Sequence, residues 1–311
     1  MATRFLQNTS YSARRKKFAC PALTRIDLLV IVLAIGFAVL LISILLPNTR
    51  SPDLPFRSRC AANLKGIGTG MYTYANENDS MFPIAPHAPA TEIGLGKVSY
   101  APNIIGVNRG DGKNPESGMT TEQNVKISTT RNLWMLVRIG ASAPQSFICP
   151  DSKDVPNKDD NPQLFWDFKS WNEVSYGYQV PYGKNGQPST DRDQRMPLAA
   201  DKGPYSAALE NGQSNPGIPN LTAAAGPDDW RKWNSPNHGG VGDGEGQNVL
   251  FADSHVDFNN KPTAGIKNDN IYTRWTGVEG AVETNESARA WGTPPTSNET
   301  PWSNTDTLVY P

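Results

Sequence analysis

The sequence predicts an α+β fold, in which an N-terminal transmembrane helix precedes a second helix that packs on an antiparallel sheet. Residues 28–46 form an apolar run of 19 residues without a charged side chain. Residues 60–76 place apolar side chains at helical spacing, and residues 249–258 alternate like a β-hairpin. Because only 37% of the 311 residues are apolar, we expect a loop-rich body around a fairly small core.

The apolar run of residues 28–46 predicts a membrane segment. At about 1.5 Å per helical residue, its length approaches the ~30 Å hydrocarbon core of a bilayer. The basic cluster "RRKK" at residues 14–17 precedes it, so the positive-inside rule keeps the N-terminus cytoplasmic. A cleaved secretory signal fits less well, because no small-x-small site follows the run. We therefore expect a single-pass protein of the cytoplasmic (inner) membrane with a periplasmic, extracytoplasmic body.

The charge of the body argues against a nucleic-acid partner. Residues 1–22 carry five basic residues and no acidic one, and the rest of the chain carries 24 basic and 30 acidic residues. Nucleic-acid binding requires a basic face, so we expect no nucleic-acid partner.

Proline separates the membrane segment from the body. Proline lacks an amide donor and disfavours helix in the residue before it, and three prolines between residues 47 and 55 predict a kinked or extended neck over residues 48–59. The helix of residues 60–76 then presents one apolar stripe. Its three glycines each lower helicity by up to about 1 kcal/mol, so packing must hold this helix in place.

The α+β body is predicted to span residues 60–275. Within it, periodic patterns predict one short helix and three strand regions, at residues 131–140, 173–183, 196–201 and 249–258. The last of these should turn at Asp253 and Ser254. Residues 276–311 are polar and rich in Pro, Thr and Asn, and we expect them to form a loop-like or partly disordered tail.

The stretch "ALTRIDLLVIVLAI" at residues 22–35 resembles the N-terminus of prepilin-type proteins, the type IV pilins and type II secretion pseudopilins. Ala22 takes the place of the family's Gly, Leu23 that of its Phe, and Asp27 that of its Glu. The resemblance implies cleavage between Ala22 and Leu23 and methylation of Leu23. A lone carboxylate at the membrane boundary is costly, and the resemblance implies that Asp27 pairs with the amino terminus of a neighbouring subunit.

On this resemblance, residues 1–22 are a basic leader and residues 23–47 a transmembrane and assembly helix. The implied partners are a prepilin peptidase, the inner membrane, and like subunits or other pseudopilins that contact the chain through this helix. A plain membrane anchor that keeps its leader is the alternative.

Three further segments resemble a planctomycete-type group of prepilin-like proteins whose globular domain has no assigned activity. They are "RCAANLKGIG", "FICPDS" and "NVLFADSHVDF", at residues 59–68, 147–152 and 248–258. The resemblance implies a pilin-like domain with a disulfide between Cys60 and Cys149, while Cys20 stays in the cytoplasmic leader. Two buried free thiols are the alternative.

His238 and Asp253 match the C-terminal His and Asp of the same group. Together with Asp201 they are the candidate nitrogen and oxygen ligands of a divalent metal. No cofactor is certain from the sequence. A structural divalent cation such as calcium is the candidate, because type II secretion pseudopilins carry one. Alternatively, Asp253 caps its own turn and His238 bonds a backbone carbonyl.

The functional expectation is a structural protein. No recognisable nucleophile or metal-hydrolase motif occurs in the sequence, so we expect no enzymatic activity. The resemblance implies a pseudopilin-like subunit that is processed and assembles into a pilus-type or secretion-type filament. The alternative is a membrane-anchored extracytoplasmic binding module, for a cation or a glycan, that uses the leader only for export.

Overall fold

The structure is a computed structural model, which describes residues 24–45, 53–85, 98–100, 125–206, 215–275, 286–296 and 299–311. The chain divides into two compact units, Met1–Arg50 and Ser51–Pro311. The first contains one helix, α1 (Arg25–Leu45), in the described residues.

A capping box begins α1. The backbone N–H of Asp27 donates to the Thr24 hydroxyl at 3.2 Å, and the backbone N–H of Thr24 donates to the Asp27 carboxylate at 2.9 Å. This reciprocal pair satisfies two N–H groups at the helix start that have no partner within the helix. In the part of the chain that the structure describes, no helix is both long and apolar enough to cross a membrane. Helix α1 confirms the helix predicted within residues 23–47, while the membrane span stays a prediction.

The second unit is built on a five-stranded antiparallel sheet, as predicted. In the order β6-β5-β4-β3-β7, its strands are β3 (Tyr176–Gln179), β4 (Pro197–Asp201), β5 (Gln247–Phe251), β6 (Val256–Asn259) and β7 (Val309–Tyr310). Two short strands, β1 (Val98–Tyr100) and β2 (Val125–Ile127), pair in parallel apart from it. The predicted hairpin is β5–β6, and Ser254 takes a left-handed φ of 71° in its turn.

Apolar residues pack against both faces of this sheet. Neighbouring residues of a strand point to opposite faces, so one strand can contribute to an apolar cluster on each side. On β5, Leu250 belongs to one apolar cluster, and Val249 and Phe251 belong to a second. The first cluster contains apolar residues of two helices, α2 (Asp53–Asn76) and α3 (Thr130–Arg138). Four residues of the predicted stripe of α2 are buried in this cluster, Cys60, Leu64, Ile67 and Met71, and the fifth, Tyr74, is partly buried against it.

Helix α2 begins earlier than the sequence predicts. The kinked or extended neck predicted for residues 48–59 is wrong from residue 53 onward, because α2 starts at Asp53 and continues through Pro55. Pro55 is its third residue. The first N–H groups of a helix have no partner within the helix, so a proline in the first turn removes no hydrogen bond.

The C-terminal residues are part of the core, which corrects the predicted polar tail of residues 276–311. A short helix, α4 (Glu286–Trp291), lies within that segment. Strand β7 then pairs with the edge of β3, and Leu308, Val309 and Tyr310 are buried. The pairing joins segments about 130 residues apart, and composition alone carries no signal for such a non-local contact.

Candidate metal-binding site

Four buried side chains from distant parts of the chain meet near the end of β4. One comes from α2, one follows a 3-10 turn (Pro144–Phe147), one ends β4, and one lies in the Gly-rich segment before β5. Their ligand atoms lie within 4.8 Å of one another. These four residues, here called the buried cluster, are Cys60, Cys149, Asp201 and His238.

The two cysteines of the buried cluster form a disulfide. Cys60 and Cys149 are bonded at an S–S distance of 2.12 Å, with their Cα atoms 5.0 Å apart. The predicted pairing is therefore confirmed. The bond joins α2 to the segment after the 3-10 turn, across 89 positions of sequence.

His238 lies between two carboxylates. Its Nδ1 atom is 2.9 Å from Oδ2 of Asp151, and its Nε2 atom is 3.2 Å from Oδ2 of Asp201. Burial by itself lowers the pKa of His238, but the hydrogen bonds and charges of Asp201 and Asp151 outweigh it and raise the pKa above its ordinary value. His238 therefore bonds carboxylates, and the alternative of a backbone carbonyl partner for its ring is wrong.

Asp201 is held by two asparagines. Its Oδ1 atom accepts a hydrogen bond from the Asn237 side chain at 2.9 Å, and its Oδ2 atom accepts one from the Asn248 backbone N–H at 2.6 Å. The Asn248 side chain donates to the same Oδ2 atom at 3.1 Å. A buried carboxylate is costly unless it is bonded in this way, and the two asparagines hold Asp201 in its orientation.

Asp253 lies elsewhere, at the turn between β5 and β6. Its Oδ1 atom accepts from the backbone N–H of His255 at 3.0 Å and contacts the ring of the same residue. It therefore caps its own turn, and its predicted place beside His238 and Asp201 is wrong. Asn248, which contacts His238, lies near the start of β5, whereas Asp253 lies two residues beyond the end of that strand at Phe251.

Sequence reasoning missed three residues that contact His238 or Asp201. They are Asp151, Asn237 and Asn248. Each had a local signal: Asp151 belongs to the segment "FICPDS", Asn237 directly precedes His238, and Asn248 opens the hairpin segment. The predicted processing residues, Ala22 and Leu23, lie outside the described residues.

No protein-family model, curated protein or solved structure matches the chain. The resemblance to prepilin-type proteins therefore stays a prediction. What the geometry offers chemically is a nitrogen ligand, a carboxylate and two sulfurs within one buried volume. Because the side chains of Cys60, Cys149, Asp201 and His238 are all buried, the cluster is suited to a small ion or a structural role.

Proposed function

We propose that the chain is a pseudopilin-like structural subunit, anchored in the cytoplasmic membrane by residues 23–47 and carrying its α+β body outside that membrane. The observation that supports this most is the apolar surface of α1. Nine large apolar side chains between residues 26 and 37 are exposed, with Ile26 at 74% and Phe37 at 64%. They extend around the helix, and such a surface requires lipid or neighbouring apolar helices.

The start of α1 supports the assembly part of the proposal. The Asp27 carboxylate accepts hydrogen bonds from the backbone N–H and the hydroxyl of Thr24, so it is held at the helix N-terminus within a single chain. A negative charge there also interacts favourably with the helix dipole. In a filament, the methylated amino terminus of a neighbouring subunit would supply the positive partner for this carboxylate.

The first experiment determines the N-terminus of the mature protein. The full chain is purified from native membranes, and its intact mass and N-terminal sequence are measured. We expect a chain that starts at methylated Leu23. A chain that still carries residues 1–22 would contradict processing and would leave a plain anchor.

The second experiment tests Asp27 in assembly. Asp27→Asn keeps a side-chain oxygen for the capping box but removes the charge, so we expect crosslinking between neighbouring α1 helices to be lost. Asp27→Glu should retain it, and Asp79→Asn, at an exposed position of the body, is the control. Unchanged crosslinking in Asp27→Asn would contradict an ion pair between subunits.

A membrane-anchored cation-binding module is the second candidate, and the buried cluster is the observation that favours it. On this account Asp27→Asn leaves function unchanged, whereas His238→Gln abolishes cation binding. Equilibrium dialysis of the two variants against a divalent cation separates the two functions.

A further inference from the structure

We propose that the buried cluster is a zinc site whenever its two cysteines are reduced, so that the Cys60–Cys149 disulfide and a zinc ion are alternative states of the same four residues. The proposed ligands are the two thiolate sulfurs, Nε2 of His238 and Oδ2 of Asp201. The inference does not depend on the subunit role proposed above, because it concerns only the α+β body.

The distances between the ligand atoms fit a tetrahedral ion. Zinc binds sulfur at ~2.3 Å, and imidazole nitrogen and carboxylate oxygen at roughly 2.0–2.2 Å, which places neighbouring ligand atoms about 3.3–3.8 Å apart. In the structure, His238 Nε2 lies 3.2 Å from Asp201 Oδ2 and 3.9 Å from Cys149 Sγ. Two edges of the tetrahedron are thus already close to the required length, and reduction allows the sulfurs to separate to about 3.8 Å.

The surrounding residues already hold the nitrogen and oxygen ligands. Asp151 lies at Nδ1 of His238, and a carboxylate at that position fixes the tautomer in which Nε2 presents its lone pair to the metal. Asn237 and Asn248 orient the carboxylate of Asp201. The Asn237 bond, on the Oδ1 atom of Asp201, can stay when a metal binds Oδ2. The Asn248 side chain also lies 3.1 Å from Nε2 of His238 and must give up that contact to the metal.

The ligand types select zinc over calcium. Calcium takes six to eight oxygen ligands, whereas thiolate and imidazole suit zinc in a four-coordinate site. Two sulfurs, one nitrogen and one oxygen make a closed structural site of the zinc type. The calcium candidate suggested by the sequence does not fit these four residues.

The conversion of the disulfide to the zinc-binding form requires a reductant, and a dithiol supplies the electrons and protons. The dithiol transfers two electrons and two protons to the disulfide, so that two thiols form and the dithiol becomes a cyclic disulfide. Zinc binding then releases one proton from each thiol, and His238 binds as neutral imidazole.

The experiment uses the full chain in detergent, either oxidised or reduced with a dithiol that is removed under argon, and cobalt(II) as the spectroscopic probe. We expect the reduced chain to bind one cobalt ion with thiolate-to-cobalt charge-transfer bands, which zinc then abolishes. The oxidised chain should show no such bands. Equal spectra for the two chains, or an absence of thiolate bands after reduction, would overturn the proposal.

Variants then test the individual ligands. Asp201→Asn and His238→Gln should each remove stoichiometric binding, and Asp151→Asn should weaken it by about 10- to 100-fold. Asp253→Asn, which changes an exposed carboxylate outside the cluster, should bind like the natural chain. A loss in Asp253→Asn with none in Asp201→Asn would reject this ligand set.

A further measurement uses only the natural chain, so its result does not depend on whether a variant folds. X-ray absorption at the zinc edge of the reduced, zinc-loaded chain should give two sulfur and two nitrogen or oxygen neighbours. A shell of oxygen and nitrogen alone would overturn the proposal.

Discussion

Two carboxyl groups are buried side by side near the C-terminus, at Asp269 and Asp306. Asp269 accepts from the Thr307 backbone N–H at 2.6 Å, and Asp306 accepts from the Trp302 backbone N–H at 2.5 Å. Burial raises the pKa of both carboxyls, and that of Asp306 reaches about 7. The negative charge of Asp306 raises the pKa of Asp269 further. The backbone N–H groups of Trp302 and Trp275, followed by the charges of Arg274 and Arg289, lower the pKa of Asp306 only in part.

This pair predicts a pH-dependent stability. The folded Asp306 keeps its proton up to a pH of about 7, whereas the unfolded group loses it near 3.8. Between these values the native state binds more protons, so the free energy of unfolding falls as the pH rises. Each pKa unit corresponds to about 1.4 kcal/mol, so the fall should be on the order of a few kcal/mol.

The measurement is urea unfolding of the natural chain and of Asp306→Asn at pH 5 and pH 8. Asparagine carries no charge at either pH, so the variant should lose less stability between the two. It also replaces one of the two oxygen acceptors, which should lower its stability at both values. The quantity compared is therefore the change in the free energy of unfolding between pH 5 and pH 8. An equal change in both proteins would contradict the raised pKa of Asp306.

At the scale of the element, the contact of α2 with β5 depends on a glycine. A Cβ atom at Gly68 would lie 2.9 Å from Cδ1 of Leu250 on β5, whereas one at Gly66 would meet nothing within 4 Å. Both residues lie inside the same helix. The absence of a side chain at Gly68 therefore permits the close approach of helix and sheet, while Gly66 has no such role.

Alanine substitutions separate intrinsic helicity from packing. Gly66→Ala should raise the free energy of unfolding by up to about 1 kcal/mol, because alanine favours the helix. Gly68→Ala gains the same helicity but forces Leu250 to move, so it should be less stable than Gly66→Ala by about 1–3 kcal/mol. Chemical denaturation of both variants measures this, and equal stabilities would show that Leu250 yields without cost.

At the scale of the whole molecule, the Cys60–Cys149 disulfide constrains the unfolded chain more than any local contact can. It closes a loop across 89 positions, and a loop of this size stabilises the fold by up to about 4 kcal/mol through the entropy of the unfolded state. Reduction in the presence of a chelator should therefore lower the free energy of unfolding by about 2–4 kcal/mol.

The double variant Cys60→Ser, Cys149→Ser is the matched control, because the same treatment has no bond to break in it. Its unfolding midpoint should not change on reduction. An unchanged midpoint in the natural chain would contradict a stabilising disulfide. If zinc replaces the chelator, recovery of stability in the reduced natural chain alone would agree with the zinc site.

The sequence by itself determined the elements whose pattern is local. The apolar stripe at residues 60–76 predicted the buried face of α2, alternation predicted the β5–β6 hairpin, and resemblance to a family predicted the Cys60–Cys149 pair. The helix and hairpin predictions succeeded because the spacing of side chains along a helix or strand is fixed by backbone geometry, whereas the cysteine pair, 89 positions apart, came only from the resemblance. Membrane insertion, processing and assembly stay proposals drawn from the same N-terminal pattern.

Only the tertiary structure decided which distant residues meet. His238 and Asp201 come together because β4 and β5 are neighbours in the sheet, and Asp253 is excluded because it lies beyond the far end of β5. Strand β7 joins the core because β3 offers an edge. Sequence periodicity carries no record of strand order or of the contacts between helix, loop and sheet. The packing of all these elements at once brought the four side chains of the buried cluster together.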